Sequence, residues 1–255
     1  MIFVVLPAYN EESSIGSLLE SLDDVMNEAQ VKYKAVIVND GSSDGTLKLV
    51  QSLSERMPIE VINHSENKGL GEAIKSGLIG SLADCDNRDI IITMDADNSH
   101  APGLILRMVR MIREGNDVVI ASRYRQGSRM KGVPLFRLVL SKSAGILFRI
   151  FFPTPGVKDF TCGYRAYKAE VLRKAFAVYG NDFIKQSGFS CMVDILLKLR
   201  ELDVIMNEAP LILRYDFKHS MSKMKIRKTI KETLALLLSR RFKGIIYLVR
   251  RVFHA

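Results

Sequence analysis

Asp95 and Asp97 stand one residue apart, directly after the apolar run Ile90-Ile91-Ile92-Thr93-Met94. Two carboxylates so close to the end of a buried strand cannot both enter a core, because an unpaired buried charge is costly. They call for water, cations or a metal. In open α/β sheets, ligands bind at the carboxyl ends of strands. Hard oxygen ligands of this kind suit Mg2+ or Mn2+ bridging to a diphosphate, with the phosphates completing the shell. The pair alone fits a solvated loop equally well, so its neighbours have to decide.

Two further strand exits carry polar groups. The first reads Leu6-Pro7-Ala8-Tyr9-Asn10-Glu11-Glu12 and the second Val38-Asn39-Asp40-Gly41-Ser42-Ser43-Asp44-Gly45. Neither is a Gly-rich phosphate loop. Gly69-Leu70-Gly71 lacks the third glycine of a dinucleotide fingerprint and does not follow a strand directly. Asn10 as a turn former and Asp44 as a helix cap have purely structural readings. Three polar exits in one sheet favour a ligand instead: a nucleotide lying across them, its base near Tyr9 and Asp40 and its diphosphate at Asp95 and Asp97.

The elements that must position these residues alternate regularly. Strand-like runs at 2–6, 34–39, 59–63, 90–94 and 117–121 are separated by helical patterns at 12–27, 44–57, 71–83 and 102–114. Short apolar strands between amphipathic helices predict βαβ units and an α/β fold with a mainly parallel central sheet flanked by helices. The rhythm then breaks. A polar, basic loop is expected at 126–132, an amphipathic helix at 134–152 and a short run at 162–167. Helices follow near 169–178 and 191–201, strands near 204–207 and 211–213, and a basic helical appendage at 226–253. One domain over 1–225 with a C-terminal tail over 226–255 is the expected organisation.

Of the 255 residues, 47% are hydrophobic and 25% charged, ordinary globular values that exclude wholesale disorder. Cys85, Cys162 and Cys191 are widely spaced, with no CxxC pattern, which argues against a zinc site or disulfide scaffold. No secretory signal and no membrane-spanning helix is expected. The net charge of +9 is concentrated in the tail: residues 214–255 carry 12 Lys/Arg against 2 Asp/Glu. Residues 118–158 hold eight basic residues and no acidic one. Such a stretch suits phosphates or an anionic membrane surface, although a solvated face is the plainer reading.

Pro7-Ala8-Tyr9-Asn10-Glu11, Asn39-Asp40-Gly41-Ser42-Ser43-Asp44-Gly45, Asn67-Lys68-Gly69, Asp95-Ala96-Asp97 and Ser122-Arg123-Tyr124 occur in this order. Together they resemble the motifs of inverting family 2 glycosyltransferases with the GT-A fold. The nearest resemblance is to the dolichyl-phosphate mannosyltransferase-like branch, which moves a sugar from a nucleotide donor to a polyprenyl phosphate. The resemblance implies that Pro7, Tyr9, Glu11, Val38, Asp40 and Lys68 hold the nucleotide. It implies that Asp95, Ala96 and Asp97 form the diphosphate–metal loop with Ser99 as a further metal position, and that Mg2+ or Mn2+ is the cofactor. Arg123, Arg137 and Ser141 match acceptor-phosphate positions, and Arg214, Lys218 and Lys223 belong to a segment resembling the closing region of such enzymes. Asp159-Phe160-Thr161-Cys162-Gly163-Tyr164-Arg165 is similar to a later active-site loop. The partners so implied are a nucleotide sugar, a polyprenyl phosphate and a membrane surface, with a peripheral, cytoplasmic-face location and no nucleic acid.

A lipid phosphate is already ionised at neutral pH and attacks an anomeric carbon without a general base. Such chemistry needs positioning and charge stabilisation, for which the planar fork of Arg is suited. Catalytic roles are therefore expected for Asp95, Asp97 and Arg123. None of His64, His100, His219 and His254 fits a motif position. A sugar-hydroxyl acceptor is the alternative, and it would need a base such as Asp159. Nucleic-acid binding through the tail would leave the acidic exits unexplained.

Overall fold

The computed structural model describes residues 1–186, 188, 190–217, 231 and 235. Lys218, Lys223 and the tail over 226–255, apart from Lys231 and Ala235, lie outside the described residues. The first half alternates as its periodicity requires: β1 (Ile2–Ala8), α1 (Glu12–Glu28), β2 (Tyr33–Asp40), α2 (Thr46–Leu53), β3 (Ile59–His64), α3 (Leu70–Asp84), β4 (Ile90–Thr93), α4 (Leu104–Arg113) and β5 (Val118–Ser122). After it come β6 (Arg129–Lys131), α5 (Leu135–Phe151), β7 (Arg165–Lys168), α6 (Ala169–Tyr179), α7 (Cys191–Arg200), β8 (Met206–Pro210) and β9 (Ile212–Arg214).

Seven strands form one sheet in the order β3-β2-β1-β4-β7-β5-β8. The β1, β2, β3 and β4 pairings are parallel, as is β5 with β8. The exception is β7, which runs antiparallel between β4 and β5. The short run expected at 162–167 is thus a central strand displaced to Arg165–Lys168, and the basic loop expected at 126–132 contains β6, paired in parallel with β9. Three residues of backbone pairing override the polar composition there, because the ladder is satisfied whatever the side chains are.

Strand order reverses between β1 and β4, which makes their carboxyl ends the switch point where such sheets open a crevice. Pairing with β4 covers β1 only from Ile2 to Val5, whereas pairing with β2 continues to Ala8. Pro7 therefore lies beyond the end of the β4 ladder, where its missing N–H leaves no gap in that pairing. Helix α3 packs on β1 and β2. A Cβ at Gly77 would come within 2.3 Å of Val5 Cγ1 and 3.0 Å of Val38 Cγ2, so only glycine admits that approach.

Gly77→Ala is expected to destabilise the protein by about 1–2 kcal/mol in urea denaturation. The overpacking cost exceeds the gain in helix propensity.

Candidate active site

The loops after β1 and β2 are stitched together. Asn10, at φ +52°, donates its N–H to Ser42 Oγ (3.0 Å) and accepts from the Ser43 N–H (2.8 Å). Glu12 and Asp44 exchange in the same way: the Glu12 N–H reaches Asp44, and Glu12 Oε2 accepts from the Gly45 N–H. Asp44 also accepts from the N–H of Thr46 at the start of α2. Asn10 and Asp44 thus have the structural roles that their types allow, and the two exits become one rigid rim carrying Pro7, Tyr9 and the buried Glu11.

Asp40, 3% exposed, accepts the N–H groups of Lys68 and Gly69 at 2.9 Å each. His64 Nδ1 lies 2.7 Å from its Oδ1, and His64 Nε2 lies 2.9 Å from Ser76 Oγ. A carboxylate only accepts, so His64 donates from Nδ1, and its other nitrogen is left to Ser76. His64 is a supporting residue that its type alone did not reveal. Lys68 contributes its backbone here, with its side chain at the surface. The Val38 side chain is fully buried against α3, so a part in holding a nucleotide falls to its backbone.

At the β4 exit, Asp95 is more than a third exposed, whereas Asp97 and the intervening Ala96 are buried. Ser99, 3% exposed, donates both its N–H (3.1 Å) and its hydroxyl (2.6 Å) to Asp97 Oδ1. Expected at a metal position, Ser99 instead orients the carboxylate. Among the described residues no group of three or more His, Cys, Asp or Glu is placed to hold a metal ion. Two carboxylates fit a hard cation that draws its remaining ligands from phosphates and water, not an all-protein cage. Buried His100 lies tilted against the Tyr164 ring, with Nδ1 4.0 Å from Asp95 Oδ2 and outside hydrogen-bond reach.

Across β7, at the β5 exit, Arg123 meets Asp159. Nε and Nη2 donate to the two carboxylate oxygens at 2.7 and 2.6 Å, and Nη2 also reaches Thr161 Oγ1. Asp159 is fully buried and further accepts the N–H groups of Arg123, Thr161 and Cys162. Burial works against the Arg123 charge, but Asp159 outweighs it and raises the guanidinium above its ordinary value. Burial likewise pushes the Asp159 carboxyl up, and Arg123 with the N–H donors brings it below the usual carboxylate range. Asp159, the base that a hydroxyl acceptor would need, is committed on both oxygens. Arg123 keeps Nη1 without a partner among the described residues, on a side chain 19% exposed.

Tyr124 donates from its hydroxyl to Ser141 on α5 at 2.7 Å, and its ring lies 5.6 Å from the Arg123 guanidinium carbon. Tyr124 thus links Ser141 to Arg123. Arg137 lies one turn before Ser141 on the same helix. Arg214 is placed otherwise than expected. Its guanidinium forks onto Asp216, and its N–H bonds to the Ser99 carbonyl, which ties β9 to the acidic loop. Burial pushes the Cys162 and Cys191 thiols up to about 12, so neither serves as a nucleophile at neutral pH.

A mostly parallel sheet with one inserted antiparallel strand and an acidic pair at the switch point is the arrangement of the GT-A fold. The chain belongs to glycosyl transferase family 2, whose model matches residues 3–176. It is similar to the dolichol-phosphate mannosyltransferase of Pyrococcus furiosus, with 32% identity over 76% of this chain and 52% of that protein. The polyprenol monophosphomannose synthase of Mycolicibacterium smegmatis is 35% identical over 67% of this chain and 63% of its own length. The undecaprenyl-phosphate mannosyltransferase of Micrococcus luteus is 30% identical, covering 82% of each. The chain thus spans about half to two thirds of the first two relatives. Among solved structures, glucosyl-3-phosphoglycerate synthase of Mycobacterium tuberculosis with Mn2+, UDP and phosphoglyceric acid shares the fold. It has 21% identity and a TM-score of 0.67, over 94% of this chain and 78% of that one.

Asp159→Asn should lower stability by about 3–5 kcal/mol in urea at pH 7, because it strands a part-buried guanidinium. The folded-state pKa of Asp159 lies below its ordinary value of 3.8. Its contribution is therefore present above about pH 4 and is lost as pH falls through the folded value. The stability difference between wild type and variant should stay constant from about pH 5 to pH 8 and shrink only on the acid side.

Proposed function

We propose that the protein transfers a sugar, with inversion, from a nucleotide-sugar donor to a polyprenyl phosphate at the cytoplasmic face of a membrane. The observation that carries this reading is the placing of two opposite functions either side of residues 158–163. An acidic pair stands at the sheet's switch point, and an Arg that Asp159 holds in place stands at the next exit but one. The named activities of the relatives support the acceptor class, and the commitment of Asp159 to Arg123 speaks against a hydroxyl acceptor.

In this reading Pro7, Tyr9, Glu11, Asp40 and the Lys68 backbone shape the nucleotide pocket. Asp95 and Asp97 are the residues that would hold Mg2+ or Mn2+, which neutralises charge on the departing diphosphate. The Nη1 edge of Arg123, with Ser141 and Arg137, holds the acceptor phosphate. One of its oxygens forms a bond to the anomeric carbon as the bond from that carbon to the nucleoside diphosphate breaks. The diphosphate leaves with the electron pair, and no proton has to be removed. Because the Arg123–Asp159 pair is neutral overall, Arg123 contributes direction and donors. Net positive charge must come from other basic residues of the acid-free stretch at 118–158.

Helix α5 supports a membrane surface as partner. Leu135, Phe136, Val139, Leu140, Ile146, Leu147 and Ile150 are exposed on it, while Phe148 is buried against the domain. No helix among the described residues is long and apolar enough to cross a membrane. An exposed apolar stripe among basic residues suits a helix lying in the interface plane, and the basic tail adds attraction to anionic lipid.

The deciding experiment incubates purified protein, Mn2+ and a short polyprenyl phosphate with a panel of radiolabelled nucleotide sugars. Label should enter the lipid phase from one donor, and Arg123→Ala should lower kcat/KM at least ~100-fold. Asp97→Ala should weaken nucleoside diphosphate binding in the presence of Mn2+ but not in its absence. Nucleotide binding without transfer to any lipid phosphate would overturn the acceptor. Phe136→Asp with Ile150→Asp should release the protein from anionic vesicles in flotation, while transfer to a detergent-solubilised short acceptor stays close to wild type.

A further inference from the structure

Glu208, on β8 opposite Ile120 of β5, is 2% exposed. Its Oε1 accepts the N–H groups of two consecutive residues, Lys158 and Asp159, at 2.6 Å each. Oε2 has no partner in hydrogen-bond geometry, although the Ser122 hydroxyl is close enough to favour the charged form. Burial pushes the carboxyl above its ordinary value, and the two N–H donors work the other way. Arg123 is already committed to Asp159, so no cation pairs with Glu208 among the described residues. An acid in such a place is costly unless its hydrogen bonds are needed.

The same loop is held from its other end by a buried cation. Arg165, fully buried, donates to the carbonyls of Cys162 (2.8 Å) and Phe160 (2.9 Å), and its Nη1 bonds to Met192 O (2.8 Å). Residues 158–163 are thus clamped by an anion on their N–H groups and a cation on their carbonyls. The clamped loop touches both sides of the candidate site. Asp159 holds Arg123, Phe160 stacks on Phe148 of α5 with centroids 5.6 Å apart, and the Gly163 carbonyl accepts the Thr93 hydroxyl at 2.7 Å. A Cβ at Gly163 would stand 3.3 Å from Asp95 Oδ1.

We propose that Glu208 is a positioning residue for the acceptor phosphate: by fixing the Lys158 and Asp159 amides it sets the carboxylate that aims Arg123. This rests on the proposed polyprenyl-phosphate reading, and one arm of its test does not. Glu208→Ala leaves both amides without an acceptor. A glutamine at 208 keeps an oxygen able to take both, whereas aspartate withdraws the oxygen by one methylene.

Glu208→Ala and Glu208→Asp should raise the KM for polyprenyl phosphate about tenfold, as expected for losing hydrogen bonds to a charged acceptor. The KM for the nucleotide sugar should change less than about twofold, and Glu208→Gln should restore most of the acceptor KM. In hydrogen exchange without substrate, the Lys158 and Asp159 amides should exchange about tenfold faster in the Ala variant and near the wild-type rate in the Gln variant. A role confined to folding would lower the active fraction and leave both KM values unchanged, which overturns the proposal. Unchanged exchange at 158–163 overturns it as well. If wild type glycosylates no lipid phosphate, the acceptor reading fails by itself and the exchange rates decide the clamp.

Discussion

The pairing of Arg123 with Asp159 is the constraint around which the rest of the site is arranged. A fully buried carboxylate facing a part-buried guanidinium survives only if both fork bonds form and the remaining lone pairs are filled. Asp159 meets this with the N–H groups of Arg123, Thr161 and Cys162, so the loop must fold back on its own side chain. That geometry in turn leaves Lys158 and Asp159 amides pointing the other way, where Glu208 accepts them. The loop is a consequence of satisfying two buried charges, and it runs between the acidic exit of β4 and the basic exit of β5.

The rim at the β1 and β2 exits is built by a different device. Side chains there stitch backbone to backbone: Asn10 with Ser42 and Ser43, Glu12 with Asp44 and Gly45, and Asp40 with Lys68 and Gly69. Each short polar side chain takes the place of a missing ladder partner beyond the strand ends. The rim is therefore set before any ligand arrives, which lowers the ordering cost of binding. Asp95 is the contrast. It stays at the mouth beside Gly163, more than a third exposed, while Asp97 is braced by Ser99.

Much of this was legible in the residues. Alternation of period-two and period-3.6 runs located β1 to β5 and their helices, and three polar strand exits marked the crevice. The antiparallel β7 was only partly legible: a short run was marked at 162–167, but Arg165-Ala166-Tyr167-Lys168 carries charge at both ends and does not announce a central strand. Its burial depends on carbonyls from the loop and from α7, contacts that only the fold supplies. The burial of the Val38 side chain was hidden for the opposite reason: a motif position says nothing about which face of the strand meets Gly77. Residue type identified Asp159 as a candidate base but carried no information on its partner. Glu208 gave no signal either: it follows the polar Asn207, beyond the strand expected at 204–207, and only the fold shows that it is buried.

The central claim is that donor and acceptor phosphates bind on opposite sides of residues 158–163. A crystal structure of the protein with Mn2+, a nucleoside diphosphate and farnesyl phosphate tests it directly. The account expects the diphosphate beside Asp95 and Asp97, and the farnesyl phosphate within about 3 Å of Arg123 Nη1. Farnesyl phosphate held elsewhere with Arg123 Nη1 unbound, or both phosphates on the Asp95 side, would contradict it.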